Sequence, residues 1–247
     1  MKLSTQRGFD FGTSISDITV PDALRVRVRT AIDFIDGAMG GQGFTPSSVT
    51  LFTGTPGAGK TTMVLTTCAA MAKQGAISVF NTGEESLFQV KMVAERLKLN
   101  DGFLVGEETS VPSLIEKCNK LREANPGTPF FLAVDSLQTL NDEKYGDNTN
   151  SRTPERALQL LTSWAKETNA IIMVIGQVGK SGQFAGRNVL KHMVDSMLEL
   201  SVVEKEDNEF YGCRQLETTK NRFGSSATQY FLDFNGTKFR TVAKLGA

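Results

Sequence analysis

Gly54-Thr55-Pro56-Gly57-Ala58-Gly59-Lys60-Thr61 fits the phosphate-binding pattern G-x-x-x-x-G-K-[ST] at every required position. The β-branched, apolar run at 48–53 before it predicts a strand. The residues at 62–74 after it predict a helix that ends at Gly75. The loop therefore lies between a strand and a helix, which is the context that the pattern requires.

The residue types of this loop suit a polyphosphate. Glycines let backbone N–H groups turn inward around phosphate oxygens, and the following helix directs the positive end of its dipole at the same anion. Lys60 would supply positive charge to the β- and γ-phosphates, and the Thr61 hydroxyl would coordinate Mg²⁺. The sequence therefore predicts a site for ATP and Mg²⁺ formed by Gly54, Thr55, Pro56, Gly57, Ala58, Gly59, Lys60, Thr61 and Thr62.

The bulk composition limits the possible partners and compartments. Lys and Arg total 27 and so do Asp and Glu, so any contact with nucleic acid needs a local basic patch. The three cysteines are odd in number and form no C-x-x-C, which argues against a zinc module or a disulfide framework. No apolar run has the length of a membrane span or the form of a signal peptide. These features predict a cytoplasmic protein.

The order of the predicted elements indicates the fold class. Strands alternate with helices up to about residue 175, and from Ser196 onward strands follow one another. This order predicts an α/β fold with a mainly parallel central sheet, flanked by helices and extended by C-terminal antiparallel strands. Residues 30–247 are predicted to form one core domain, and residues 1–29 an N-terminal arm. The alternating basic and apolar residues at 25–29 suit a peripheral strand, a nucleic-acid arm or an inter-subunit docking segment.

Two acidic positions follow predicted strands. Asp135 ends the apolar run at 129–135, and a carboxylate at the carboxyl end of a neighbouring parallel strand can hold the Mg²⁺ shell. The alternative for Asp135 is a helix N-cap. Glu84 and Glu85 lie just past the strand at 76–81, where a carboxylate can orient or deprotonate the attacking water. They could instead be first-turn acids of the next helix. We predict Glu84 as the base.

Three further polar residues have two interpretations each. Gln177 follows the strand at 170–175, where its amide could sense the γ-phosphate or simply cap a helix or lie on the surface. Lys220 and Arg222 are cations at i and i+2, which share one face of a strand. Taken alone, these residues favour a solvated strand end. They could also reach a phosphate across a subunit boundary, as arginine fingers do.

Four segments, in the correct order, resemble motifs of the RecA superfamily and, within it, of the bacterial RadA (Sms) family. Thr82–Ser86 is similar to the family's G-E-E-S segment, and Val134–Thr139 is similar to its V-D-S-[IL]-Q-T Walker B segment. Ala185–Asp195 resembles its A-G-x-x-x-L-x-H-M-V-D segment, and Lys220–Gly224 matches its K-N-R-F-G signature. The resemblance covers roughly residues 30–230 and implies a RecA-like P-loop ATPase core.

The resemblance assigns roles to residues of this chain. It makes Glu84 the catalytic glutamate and Asp135 the Walker B acid, and it has Lys220 and Arg222 act in trans on the nucleotide of a neighbouring protomer. It also makes 141–152 and 178–188 two DNA-binding loops. The cations that would contact single-stranded DNA are Lys144, Arg152, Lys180, Arg187 and Lys191.

The sequence also departs from the RadA pattern. That family carries a zinc finger and a Lon-protease-like domain, and neither is expected here, because no C-x-x-C precedes residue 30 and the sequence ends soon after the core. Gln177 stands where RadA usually has His, which favours RecA or DnaB-type helicases.

Together these features predict an ATP-dependent DNA motor that forms a hexameric ring or a filament, with nucleotide between protomers. Strand exchange, branch migration or unwinding would be its task, and a replication or recombination protein could be its partner. The alternatives are a DnaB-like replicative helicase core, a phage recombinase, or a KaiC-like nucleotide-switched assembly protein with no DNA substrate.

Overall fold

The computed structural model of the chain describes residues 11–99, 102–177 and 187–246. The helices in these ranges are α1 Asp22–Arg25, α2 Asp33–Ala38, α3 Lys60–Lys73, α4 Leu87–Arg96, α5 Val111–Glu123, α6 Thr153–Thr168 and α7 Arg187–Met193. The strands are β1 Ser48–Gly54, β2 Ile77–Thr82, β3 Leu104–Gly106, β4 Phe130–Asp135, β5 Lys144–Asp147, β6 Ile171–Ile175, β7 Ser196–Val202, β8 Arg214–Asn221, β9 Gln229–Phe234 and β10 Phe239–Leu245.

One sheet of nine strands organises the molecule, in the order β10-β9-β8-β7-β1-β6-β4-β2-β3. The six strands from β7 to β3 are parallel, and β8, β9 and β10 continue the sheet antiparallel. The central strands β1, β4 and β6 are buried at every position, as expected for parallel strands with helices on both faces. The predicted fold class is confirmed. The parallel strands end at what we call the carboxyl edge and begin at the amino edge.

Two apolar clusters fill the two faces of this sheet. Leu51 and Phe52 are consecutive in β1 and belong to different clusters, because successive strand side chains point to opposite faces. Helix α3 covers the face of Phe52, and α5 and α6 cover the face of Leu51. The cysteines are all free, and burial raises the pKa of the Cys68 and Cys118 thiols to about 12, which fits inert core residues.

Element boundaries differ from the sequence prediction in three places. The helical spacing of Val90, Val93, Ala94 and Leu97 predicts a helix over 87–99. Helix α4 ends at Arg96, because Lys98 adopts a left-handed conformation with φ of 56°. The predicted loop at 141–152 contains the short strand β5, which no apolar alternation signals. The predicted loop at 178–188 extends too far, because helix α7 begins at Arg187. Leu190 and Val194, spaced one helical turn apart, bury their side chains in the core.

The described part of the N-terminal arm touches the core at its end. Val28 forms an antiparallel bridge with Phe44, and the Arg27 guanidinium donates a hydrogen bond to the carbonyl of Phe223 at 2.8 Å. Phe11 and Ile15 expose most of their side chains. Among the described helices, none has the length and apolarity needed to cross a membrane.

Candidate nucleotide site

The phosphate-binding loop joins β1 to α3 at the carboxyl edge of the sheet. Gly57 and Gly59 have φ of 76° and 101°, and nothing lies within 4 Å of where a Cβ of Gly57 would be. Lys60 Nζ donates to the carbonyls of Gly54 and Thr55, both at 3.0 Å. These contacts curl the lysine over a concave backbone that an anion can enter.

The first turn of α3 supplies further donors to this concavity. Helix α3 begins at Lys60 with Gly59 as N-cap, so the N–H groups of its first residues lack partners within the helix. The Thr62 side chain is buried, so this predicted nucleotide contact has only its backbone N–H to offer. Ala58 is also buried and holds the loop against the core. The arrangement is an anion site at a helix N-terminus.

Thr61 and Asp135, the two predicted Mg²⁺ ligands, meet directly: Thr61 Oγ1 donates to Asp135 Oδ2 at 2.7 Å. Burial raises the pKa of Asp135 to about 6, and Glu84 and Glu85 push it the same way against the Thr61 hydrogen bond and the Lys60 charge. A divalent cation would favour the ionised carboxylate. One hydroxyl and one carboxylate suit Mg²⁺, which takes few protein ligands and fills its octahedron with water and phosphate oxygens. These residues therefore fit the metal.

Glu84 is brought to the same edge by the loop after β2. The Gly83 N–H donates to the Asp135 carbonyl at 2.8 Å, and a Cβ on Gly83 would lie 2.2 Å from Thr139 Oγ1. Only glycine allows this close approach of the loops after β2 and β4. Glu84 Oε1 then accepts hydrogen bonds from the Ser136 hydroxyl and from Gln177 Nε2, the latter at 2.6 Å.

Two contacts of this site involve residues for which the sequence suggested no role. Ser136 binds the Glu84 carboxylate, and Gln138 Oε1 accepts the backbone N–H of Gln177 at 3.1 Å. Both lie within three residues after Asp135, in the segment 134–139 that resembles the Walker B motif, and this position was the signal available in the sequence. Through these contacts the ends of β2, β4 and β6 form one hydrogen-bonded network.

The positive charge of Lys60 and the negative charges of Asp135 and Glu84 interact within this network. Burial lowers the pKa of Lys60, while the carboxylates of Asp135 and Glu84 act to raise it. Glu85 turns its backbone N–H to Thr82 Oγ1 at 3.0 Å, and its buried Oε2 has no hydrogen-bond partner among the described residues. Glu84, which is hydrogen-bonded to two polar side chains, is thus the better oriented of the two acids.

Lys220 and Arg222 lie at the opposite, amino edge. In the sheet register Ser196 of β7 pairs with Asn221 of β8, whereas Leu200 of β7 pairs with Gly54 of β1. At about 3.3 Å per strand residue, these two cations lie well away from the phosphate-binding loop of their own chain. They are brought together with each other but not with Glu84.

The predicted DNA contacts are only partly described. Lys144 and Arg152 are exposed on the segment that follows β4 at the carboxyl edge. Lys180 lies outside the described residues, and Arg187 is the first residue of α7. Lys191 is half-buried in the last turn of α7, and its carbonyl accepts a hydrogen bond from Lys220 Nζ at 2.7 Å.

A phosphate-binding loop, a strand-end aspartate and a glutamate on the neighbouring strand, on a sheet of this order, define a P-loop NTPase with the RecA-like fold. Comparison with solved structures supports this fold. The ATPase domain of G40P matches with a TM-score of 0.75 and 15% identity, covering 90% of this chain and 93% of that one. A DnaB-like replicative helicase, solved in a study of its interactions with primase, matches with a TM-score of 0.72 and 14% identity, covering 86% and 61%.

Sequence relatives are proteins named DNA repair protein RadA. The one from Brucella abortus is 34% identical over 80% of this chain and 41% of its own length. Those from Aquifex aeolicus and Mycobacterium tuberculosis are 33% and 31% identical over 81% and 85% of this chain. The chain thus spans less than half the length of these relatives, and no protein-family model matches it. The predicted resemblance to a RadA-type ATPase core is confirmed.

Proposed function

We propose that this chain is an ATP-dependent DNA motor of the RadA and RecA type. The observation that carries the proposal is the convergence of Glu84, Ser136 and Gln177 beside Lys60, Thr61 and Asp135. Such a network places a hydrogen-bonded carboxylate near a polyphosphate site, which is what hydrolysis by an activated water requires. The relatives named DNA repair protein RadA support a role in DNA repair, within the wider proposal of recombination, repair or replication.

Each side chain of the site then has a separate task. Lys60 and the first N–H groups of α3 bind the phosphates, and Thr61 and Asp135 would hold Mg²⁺. When bound, Mg²⁺-ATP supplies the phosphoryl group and a metal charge that offsets its negative oxygens. Glu84 accepts a proton from the attacking water, and Ser136 and Gln177 orient its carboxylate.

Single-stranded DNA is the proposed polymer substrate. The chain has no net charge, so binding relies on local cations near the carboxyl edge that contact DNA phosphates. At this edge the segment after β4 offers Lys144 and Arg152, and the sequence after β6 offers Lys180 and Arg187. Lys191 lies further along α7, next to Lys220 at the amino edge, and would be an outlying contact. Because Gln177 follows β6 directly and binds the Glu84 carboxylate, it can connect the state of the nucleotide to this DNA-binding region.

The position of Lys220 and Arg222 supports the proposal that the chain assembles into an oligomer. These two cations lie at the edge of the sheet opposite their own phosphate-binding loop. If they act on a nucleotide, that nucleotide belongs to a neighbouring protomer, as in arginine-finger enzymes. A head-to-tail contact of this kind generates a closed ring or a helical filament. We propose a hexameric ring or a filament with ATP at each protomer interface.

Mixing two inactive variants tests this arrangement. Lys60→Ala removes the phosphate-binding lysine and Arg222→Ala removes the proposed trans-acting cation, so each alone should have roughly a hundredth or less of wild-type turnover. Mixed under conditions that allow subunit exchange, they should regain activity, because some interfaces pair an intact loop with an intact arginine. Absence of any recovery, with mixed oligomers demonstrated, would contradict the trans assignment.

A further inference from the structure

Asp195 is a buried carboxylate that no step of the proposed hydrolysis uses. It lies between α7 and β7, is 3% exposed, and is fixed to β1 twice. Its backbone N–H donates to the Val49 carbonyl at 2.9 Å, and its Oδ2 accepts the Val49 N–H at 3.1 Å. A strand of the central sheet therefore determines where this carboxylate points.

The second oxygen of the Asp195 carboxylate binds Arg222. The Oδ1 atom of Asp195 accepts a hydrogen bond from the Arg222 guanidinium (NH1) at 3.0 Å. The backbone N–H of Arg222 also donates to the backbone carbonyl of Asp195, at 3.0 Å. The Asp195 side chain is 4% exposed, whereas the Arg222 side chain is 56% exposed. A guanidinium has five N–H donors, so one bond to Asp195 fixes its direction without using up its capacity to bind an anion.

Lys220 is fixed at the same place by the end of α7. Its Nζ donates to the carbonyls of Lys191 and Val194, at 2.7 and 2.6 Å. Burial lowers the pKa of Lys220 and the Arg222 charge adds to this, while the Asp195 carboxylate acts in the opposite direction. Asp195 thus offsets the repulsion between two cations that are held side by side.

We propose that Asp195 is a positioning residue: it orients Arg222, beside Lys220, for contact with the nucleotide of an adjacent protomer. This inference rests on the proposed function. Because Asp195 is bonded to β1, and Lys220 to the end of α7, both cations are held on the rigid frame of the sheet. Pre-orientation of this kind reduces the ordering cost when the interface closes.

Asp195→Asn tests the inference, with Asp36→Asn as the matched control. Asp36 is equally buried, at 2%, and also binds backbone N–H groups and an arginine, but it lies in α2 and its partners belong to the chain just before that helix. We expect Asp195→Asn to lower the turnover of the assembled protein by about tenfold, with nucleotide binding by the loop unchanged. Asp36→Asn should leave turnover within about twofold of wild type.

Subunit mixing separates positioning from a structural role. Lys60→Ala protomers carry an intact Asp195 and Arg222, so they should restore the turnover of Asp195→Asn protomers in mixed oligomers. A protein that is merely destabilised would not recover. In the Arg222→Ala background, Asp195→Asn should add no more than about a twofold further loss, because the two residues act as one unit. If Asp195→Asn does not fold, Asp195→Glu, which keeps the charge, takes its place in both experiments.

The outcomes distinguish the two proposals. If Arg222→Ala itself leaves turnover at the wild-type rate, the trans role of Arg222 in the proposed function fails. If Arg222→Ala abolishes turnover and Asp195→Asn leaves it unchanged, only the positioning role of Asp195 fails. A loss in Asp195→Asn that mixing does not restore would also overturn the positioning role.

Discussion

Gln177 Nε2 donates a hydrogen bond to Glu84 Oε1 at 2.6 Å, although the two residues are 93 positions apart in the chain. This contact joins the end of β6 to the loop after β2 across β4, which lies between them in the sheet. Gln177 is also bound through its N–H to Gln138, on the segment after β4. A movement of the chain after β6 would therefore change the hydrogen bond to the Glu84 carboxylate, which we propose as the base.

Gln177→Ala should uncouple DNA binding from hydrolysis. The variant loses the amide that binds Glu84, so the stimulation of turnover by single-stranded DNA should fall by about tenfold. Basal turnover should fall by less than about threefold, because the Ser136 hydroxyl still orients the Glu84 carboxylate. Gln74→Ala, on the exposed end of α3, is the control. Steady-state ATP hydrolysis at increasing DNA concentration measures both values. Full stimulation in Gln177→Ala would remove the sensor role.

Glu84→Gln should stop turnover and retain nucleotide binding. The amide keeps the size of the side chain but cannot accept a proton, so the rate should fall by roughly 10²-fold or more. Binding of a fluorescent ATP analogue and steady-state hydrolysis separate the two properties. Glu85→Gln is the matched control and should retain most activity. If the two variants exchange these phenotypes, the base is Glu85.

Gly83→Ala should disturb the position of Glu84 without touching it. The added Cβ would overlap the Thr139 side chain, with 2.2 Å to its Oγ1 and 2.7 Å to its Cβ. We expect a loss of about 1–3 kcal/mol in the free energy of unfolding, together with lower turnover. The double variant Gly83→Ala/Thr139→Gly removes the clash and should recover both. Failure of the second substitution to rescue turnover would show that contact with Thr139 is not the cause.

Glu108 should stabilise the fold only above acid pH. Burial alone would raise its pKa, but hydrogen bonds from Lys117, Ser113 and the Ser110 N–H outweigh it and lower the pKa to about 2. The folded pKa lies below the unfolded one, so the stabilisation is present above about pH 4.3 and is lost as the pH falls toward 2.

Urea unfolding at several pH values measures this contribution. Glu108→Gln should lower the free energy of unfolding at pH 7 by about 1–2 kcal/mol, and by progressively less below pH 4. Glu116→Gln is the control, since Glu116 forms an exposed i,i+4 pair with Lys120, and solvent-exposed ion pairs of this kind contribute little to stability. A Glu108→Gln effect that does not depend on pH would contradict the electrostatic explanation.

The sequence suggested the residues of the candidate nucleotide site because each follows a strand of recognisable pattern. Lys60, Asp135 and Glu84 come after the apolar runs of β1, β4 and β2, and parallel strands bring such positions to one edge. The bonds from Ser136 and Gln177 to Glu84 could not be derived in this way. They depend on how closely the loops after β2 and β4 approach, which the contact of Gly83 with Thr139 determines.

The opposite edge was harder to anticipate. Lys220 and Arg222 could be placed on one strand face from their spacing, but their partners could not. Asp195 is 27 residues from Arg222, and their contact depends on the antiparallel register of β7 and β8. Nothing local at residue 195 distinguishes a buried carboxylate that binds an arginine from one at the start of an ordinary strand.

ATP turnover with and without single-stranded DNA, at low and moderate salt, tests the central claim most directly when mass photometry is run on the same samples. The account predicts strong stimulation that weakens as salt rises, together with an oligomer that forms in the presence of nucleotide. Oligomers that form on ATP while turnover is unaffected by DNA of any length or at either salt would contradict it. The chain would then be a nucleotide-switched assembly protein.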